Sequence, residues 1–284
     1  MNANETERAI ALVLAMAERA SEVVLEVYAT KFAVDYKSPG RAAGLSATGA
    51  DPVTAADRRA NAILCEGLAA HFPGVPVVAE ESDPSLYAKW HDASAAWFVD
   101  PLDGTRDFVE KNGQFAVMIG LAEEGKASLG VVVLPAHGRS FVGSPDYGSF
   151  EIAADGSRKK IHVSSTQSVN GAEMVVSRSR PSKHLEAVAD ALGMKRTRIG
   201  SAGLKGIKVA CAEADIYAHA EQAGYLWDGC APEAIVRGAG GNVTDARGQV
   251  IDYRSPILAN ENGMVMSNGI LHASVIESIA VHRR

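Results

Sequence analysis

With 284 residues, 47% hydrophobic and 6% aromatic, the chain can bury a sizeable core without disulfides or structural metals, as one large domain or two packed together. A net charge of −6 excludes a surface built for nonspecific binding of nucleic-acid polymers. It leaves room for a small anionic substrate whose charge is met by bound cations.

Taken in chain order, the N-terminus carries Glu5 and Glu7 where a secretory signal would be basic. The apolar run Ile10–Ala17 is too short to span a bilayer, so no membrane association is expected and the cytoplasm is the default. A long helix is expected from about Thr6 to Ala29, with Ile10, Val13, Leu14 and Ala17 at core spacing. Phe32–Tyr36 reads as a short strand and the Gly- and Ser-rich Lys37–Gly49 as a flexible loop able to fold over a site. A second helix runs from Thr54 or Ala55 to His71, ahead of Pro73-Gly74. Val75–Ala79 is a strand that delivers Glu80-Glu81 at its end. Ala95–Val99 is a covered strand.

Phe115–Ala122 and Ala127–Leu134 read as a hairpin around Glu123-Glu124-Gly125-Lys126, continued by Arg139–Val142 and Ser149–Ile152. The polar segment Ala153–Lys160 is the candidate boundary between subdomains. Beyond it strands (Met174–Ser177, Thr197–Ile199, Ile216–Ala218) alternate with helices (Ser182–Leu192, Leu204–Glu213). A helix from Asp228 to Gly240-Gly241, a strand Met264–Ser267 and a closing helix from Ile270 follow. A mixed sheet first and αβ alternation second indicate a layered α/β (α+β) chain, an αβαβα sandwich of two subdomains, 1–155 and 156–284. Cys65, Cys211 and Cys230 fall in expected helices without CxxC or ligand spacing and read as buried free thiols of a reducing compartment.

Chemistry concentrates in Asp100-Pro101-Leu102-Asp103-Gly104-Thr105. Asp100 lies at the C-terminal edge of a strand, where open α/β sheets place ligands. Pro101 biases Asp100 towards extended backbone, and Gly104 permits a sharp turn. Thr105 is expected to cap a short helix whose free N–H groups attract an anion. Two carboxylates three residues apart before such a turn suggest divalent cations holding a phosphate, the signature of a metal-dependent phosphatase. Asp57, Glu80 and Asp228 occupy comparable places near strand ends or helix starts; singly, Asp57 or Asp228 reads as a helix-capping or solvated turn carboxylate, and only together with the Asp100–Thr105 hexad do they point to chemistry.

Together, Asp51-Pro52-Val53-Thr54-Ala55-Ala56-Asp57, Glu80-Glu81-Ser82, Trp97 to Phe108, and Trp227-Asp228 through Gly240-Gly241 resemble the inositol monophosphatase superfamily of Mg²⁺-dependent, lithium-sensitive phosphatases. Arg106-Asp107-Phe108, Asn112-Gly113-Gln114-Phe115 and Trp227 to Glu233 are similar to its 3′(2′),5′-bisphosphate nucleotidase branch. That branch has Glu where Gln114 stands. The resemblance implies two Mg²⁺, one held by Glu80, Asp100 and the Leu102 carbonyl and one by Asp100, Asp103 and Asp228, with a third, weaker ion near Glu80. It implies Asp57, Thr105 and Glu80 as catalytic residues, with Thr105, bonded to Asp57, orienting the attacking water. Gly104 and Thr105 would grip the phosphate. Ser201, Lys205 and His219 are the further candidates for substrate contact, although Gly203 stands where nucleotidases carry a second Ser. The implied reaction removes the 3′-phosphate of 3′-phosphoadenosine 5′-phosphate; an inositol or sugar phosphatase and a silent nucleotide-binding regulator are the alternatives. Monomer and homodimer both remain open.

Two other motifs fail on context. Gly120–Ala127 nearly spells GxxxxGK[ST] but lacks the final Ser/Thr and sits in a hairpin. Aspartyl-phosphate phosphatases need two Asp two residues apart, whereas Asp100 and Asp103 are three apart, which favours direct attack by water.

Overall fold

The computed structural model describes residues 3–36, 52–222 and 224–282. The expected loop Lys37–Gly49 and Asp51 of the Asp-Pro-Val-Thr motif lie outside the described residues.

Two helices open the chain, α1 (Ala3–Tyr28) and α2 (Ala55–His71). Between them a small antiparallel pair, β1 (Val34–Tyr36) and β2 (Pro52–Thr54), sets Thr54 at the start of α2. Thr54 caps α2, accepting from Ala56 N at 3.1 Å. Strands β3 (Val77–Ala79), β4 (Ala95–Asp103), β5 (Ala116–Glu123), β6 (Lys126–Leu134), β7 (Arg139–Ser144), β8 (Gly148–Ile152) and β9 (Arg158–Lys160) make a seven-stranded sheet in sequence order. Only β3 and β4 run parallel in it; the remaining neighbours are antiparallel. Ala153–Lys160 is the β8–β9 turn and an edge strand of this sheet, and the chain leaves the sheet after Lys160.

β4 shows why its apolar run is continuous. Trp97 and Val99 enter the core under α1 and α2, while Ala96 and Phe98 enter the core on the opposite face. Strand residues alternate sides, so a strand covered on both faces needs apolar residues at every position.

The second sheet orders β11 (Lys195–Ile199), β10 (Glu173–Ser177), β12 (Ile216–His219), β14 (Met264–Ser267) and β13 (Asn242–Thr244). β11, β10 and β12 are parallel, and β14 is antiparallel to both of its neighbours. Helices α5 (Ala202–Ala210) and α6 (Leu226–Gly238) lie between the sheets, and α4 (Lys183–Leu192) and α7 (His272–His282) cover the outer face of the smaller one. The layers are αβαβα, as expected.

α6 approaches the large sheet over three glycines on neighbouring strands, Gly120, Gly130 and Gly143, paired across β5, β6 and β7. A Cβ on Gly130 would lie 2.2 Å from Ala231 O, and one on Gly120 2.6 Å from Ala231 N. Close contact of helix backbone with sheet backbone therefore requires glycine there.

Several elements differ from the sequence reading. α6 begins at Leu226, so Asp228 is its third residue, and α5 ends at Ala210, with Cys211 as its C-cap. Cys230 is buried, but Cys65 and Cys211 are only partly so, a correction to the expectation of three buried thiols; all three are free. No described helix is long and apolar enough to cross a membrane.

Candidate active site

β4 does not stop at Asp100 but continues through Pro101 to Asp103. Asp100 pairs with Met118 and Asp103 with Ala116, so three steps on β4 match two on β5. The extra residue is a bulge that reverses the side-chain alternation. Residues i and i+3 of a regular strand face opposite ways; here both carboxylates reach one cavity. Both are buried, and Leu102 N donates to Asp100 Oδ1 at 3.0 Å.

Gly104, at φ +89°, turns the chain out of the strand. A Cβ there would lie 2.7 Å from Gln114 O. Gly104, not Thr105, is the N-cap of the short helix α3 (Thr105–Val109), which corrects the expected role of Thr105. As the first helical residue, Thr105 sends its hydroxyl inward, 3.1 Å from Asp57 Oδ1 and 3.1 Å from Leu102 O. One proton serves only one of these acceptors at a time.

Asp57 and Asp228 combine the two readings that the sequence set against each other. Asp57 Oδ2 accepts from Thr54 N and Thr54 Oγ1, both at 2.7 Å, completing a capping box, and Oδ1 faces Thr105. Asp228 Oδ2 accepts from Tyr225 N at 2.6 Å at the start of α6. The cap fixes one oxygen of each carboxylate, while Asp57 Oδ1 receives the Thr105 hydroxyl and Asp228 lines the cavity.

Asp100, Asp103 and Asp228 bring ligand oxygens within 4.8 Å of one another. Glu80, at the end of β3, lines the same cavity with Leu102, Gly104, Thr105, Ser201, Lys205 and His219. Burial, then the charges of Glu80 and Asp103, push Asp228 up to about 7. Burial also raises Asp57, against the lowering effect of its Thr54 hydrogen bonds. A cluster of hard oxygen donors that repel one another to this degree suits a small divalent cation such as Mg²⁺, which would remove the repulsion. Asp100, Asp103, Asp228, Glu80 and the Leu102 carbonyl are the donors on hand. The cavity, about 150 Å³, is roughly ten times what one water requires.

The wall from the second sheet is less simple. Ser201 Oγ donates to Asp103 Oδ2 at 2.5 Å and accepts from Leu204 N as the cap of α5. Lys205 is buried rather than a solvated helix residue. Its ammonium bonds Gly200 O and lies 5.1 Å from the Tyr217 ring centroid. Burial lowers Lys205 to about 8 despite the charges of Asp103, Asp107 and Asp228. His219 Nδ1 is 3.3 Å from Glu221 O, and its Nε2 is buried without a partner among the described residues. Burial lowers its pKa, with Lys205 and Arg180 acting in the same direction.

Sequence reasoning missed Ser177, Ser179, Arg180 and Tyr225, which line the cavity, and Arg178 beside it. The signal was Ser177-Arg178-Ser179-Arg180 directly after the apolar strand β10, at a strand end of the kind where α/β sheets place ligands.

The model described as "Inositol monophosphatase family" matches residues 5–283. A 3′(2′),5′-bisphosphate nucleotidase CysQ of Escherichia coli K12 is 32% identical over 238 residues, covering 84% of this chain and 91% of that protein. Its Salmonella typhimurium counterpart is 36% identical over 202 residues, 71% and 79% of the two chains. Among solved structures, CysQ from Bacteroides thetaiotaomicron superposes with a TM-score of 0.75 at 23% identity, over 94% of this chain and 99% of that one. The suhB protein of Bartonella henselae gives 0.77 at 24% identity, over 96% and 98%. Matched along nearly its whole length, the chain belongs to the inositol monophosphatase family.

Proposed function

We propose that this phosphatase hydrolyses the 3′-phosphate of 3′-phosphoadenosine 5′-phosphate, giving AMP and phosphate, with Mg²⁺ as its cofactor. The observation that carries the reading is the convergence of Asp100, Asp103 and Asp228 on a cavity that also receives the Thr105–Asp57 pair. The similarity to proteins named as bisphosphate nucleotidases favours the nucleotide over other phosphate esters.

Asp100, Asp103, Asp228, Glu80 and the Leu102 carbonyl would hold two Mg²⁺, with a third, weaker ion near Glu80. When bound, Mg²⁺ supplies charge neutralisation at the phosphate and an acidified water. Thr105, donating to Asp57 Oδ1, turns a lone pair towards that water and fixes its direction of approach. Asp57, raised by burial, is the acceptor behind it. Water oxygen bonds to phosphorus as the bond to the ribose 3′-oxygen breaks; the water's proton passes through the Thr105 hydroxyl to Asp57, and the leaving 3′-oxygen takes one from solvent. Gly104 and Thr105 N–H groups grip the phosphate. Ser201, Lys205 and His219 shape the far wall; one N–H of the Lys205 ammonium is held by Gly200 O, and its charge faces the cavity. Tyr225 in the cavity wall gives a base an aromatic face to lie against.

The test is phosphate release, with Mg²⁺, from the bisphosphate nucleotide, inositol 1-phosphate and fructose 1,6-bisphosphate. The expected result is a clear preference for the nucleotide in kcat/KM. Preference for the inositol or sugar ester overturns the substrate, and release from none overturns the activity.

A further inference from the structure

One oxygen of Asp103 is held from the other half of the molecule. Oδ2 accepts from Ser201 Oγ at 2.5 Å and from Gly203 N at 2.8 Å, while Oδ1 accepts no hydrogen bond among the described residues. Where Asp103 points therefore depends on where the Gly200–Ser201 turn, between β11 and α5, is held.

That turn is held on all sides. Gly200 N donates to Gln114 Oε1 at 2.6 Å, and Gly200 O accepts from the Lys205 ammonium. Ser201 N reaches Gln114 O at 3.4 Å, and Ser201 O accepts from Lys205 N at 3.2 Å. Both backbone groups of both residues are engaged. Asp107 presses from the same side as Gln114: a Cβ on Gly200 would lie 2.4 Å from its carboxyl carbon. Asp107 is in turn fixed by Arg178, 2.6 Å away at the end of β10, and by Asn112 Nδ2 at 2.8 Å. Asn112 Oδ1 accepts from Gln114 N at 2.9 Å, which closes the ring.

We propose that Gln114 and Asp107 are positioning residues, which reach across from the large-sheet half to seat the Gly200–Ser201 turn so that Ser201 and Gly203 aim Asp103 at its cation. The inference rests on the reading of Asp103 as a cation ligand. Gln114 lies outside the cavity lining and Asp107 is part of it; the role assigned to both runs through a hydrogen-bonded chain of the kind that orients metal ligands. Gln114→Leu removes the acceptor for Gly200 N, Gln114→Glu keeps it, and Gly200→Ala sets a Cβ against the Asp107 carboxyl group and so displaces the turn.

The experiment measures Mg²⁺ affinity calorimetrically without substrate, alongside kcat, KM and the melting temperature of the metal-free protein. Gln114→Leu and Gly200→Ala should bind Mg²⁺ about 10-fold more weakly and lose kcat in step, with KM within about twofold. Gln114→Glu should stay within about threefold of wild type on every measure. Wild-type Mg²⁺ affinity in both disrupted variants overturns the inference and leaves the pocket reading intact. Equal losses in the Leu and Glu variants overturn it too, since the acceptor then plays no part. A wild-type protein that takes up no Mg²⁺ overturns the pocket reading and this inference with it.

Discussion

Asp100 and Asp103 share one cavity because the strand that carries both is out of phase with its neighbour: three steps along β4 match the two from Met118 to Ala116. The bulge makes the three-residue spacing functional.

Asp103→Asn should lower kcat by roughly 100-fold or more while the fold survives. The amide oxygen can still accept from Ser201 and Gly203, so the melting temperature of the metal-free protein should stay within a few degrees of wild type. Steady-state kinetics and thermal melts on one preparation check both halves. Near-normal turnover would refute the role given to Asp103.

Thr105→Val keeps the side-chain shape at a half-buried helix start and deletes the hydroxyl that meets Asp57 Oδ1. Loss of an oriented proton acceptor is worth on the order of 10²-fold in kcat, with little effect on KM. Thr105→Ser, which restores the hydroxyl, should recover most of the rate. Equal rates in the Val and Ser variants would show that the hydroxyl is only structural.

Gly130→Ala places a Cβ 2.2 Å from Ala231 O, where both partners are backbone and cannot rotate away. Forcing α6 off the sheet should destabilise the protein by about 1–3 kcal/mol. That corresponds to a drop of several degrees in melting temperature for a chain of this size. Because Asp228 is the third residue of α6, activity should fall further than the fraction unfolded explains. Full activity at wild-type stability would mean the glycine row has no bearing on the site.

Local signals were readable where the physics is local. The Glu124–Gly125 turn takes positive φ at both residues, as a two-residue hairpin turn demands, and it disposes of the phosphate-loop match at Gly120–Ala127. The start of α2, expected at Thr54 or Ala55, falls at Ala55 with Thr54 as its cap. The β4 bulge could not be read, because it exists only relative to the register of β5. The engagement of Lys205 with Gly200 O, the pairing of β2 with β1, and the Asp107–Arg178 contact join segments distant in sequence, and nothing in either segment names its partner. Thr105 was misplaced by one residue because Gly104, free to adopt φ +89°, took the cap position that a hydroxyl usually fills.

Far from the cavity, His272 at the start of α7 bonds Thr244 Oγ1 through Nε2 at 2.9 Å and Ser267 Oγ through Nδ1 at 2.8 Å. Thr244 Oγ1 already donates to Asp245 O, so Nε2 carries the imidazole proton and Nδ1 accepts from Ser267. A second proton has no acceptor waiting for it. Burial, and then the charge of Arg237, push His272 down to about 4 from an ordinary 6.5. Between those values the unfolded chain binds the proton that the folded chain refuses. Stability therefore rises with pH across this window, and the loss is complete as pH falls through about 4. Asp228, raised by burial, acts in the opposite sense in metal-free protein, so the raw pH profile mixes the two. The difference between wild type and His272→Gln isolates the histidine. In denaturant titrations the variant should be weaker than wild type at pH 7, with the gap closing by pH 4. A gap independent of pH would mean that His272 contributes packing alone.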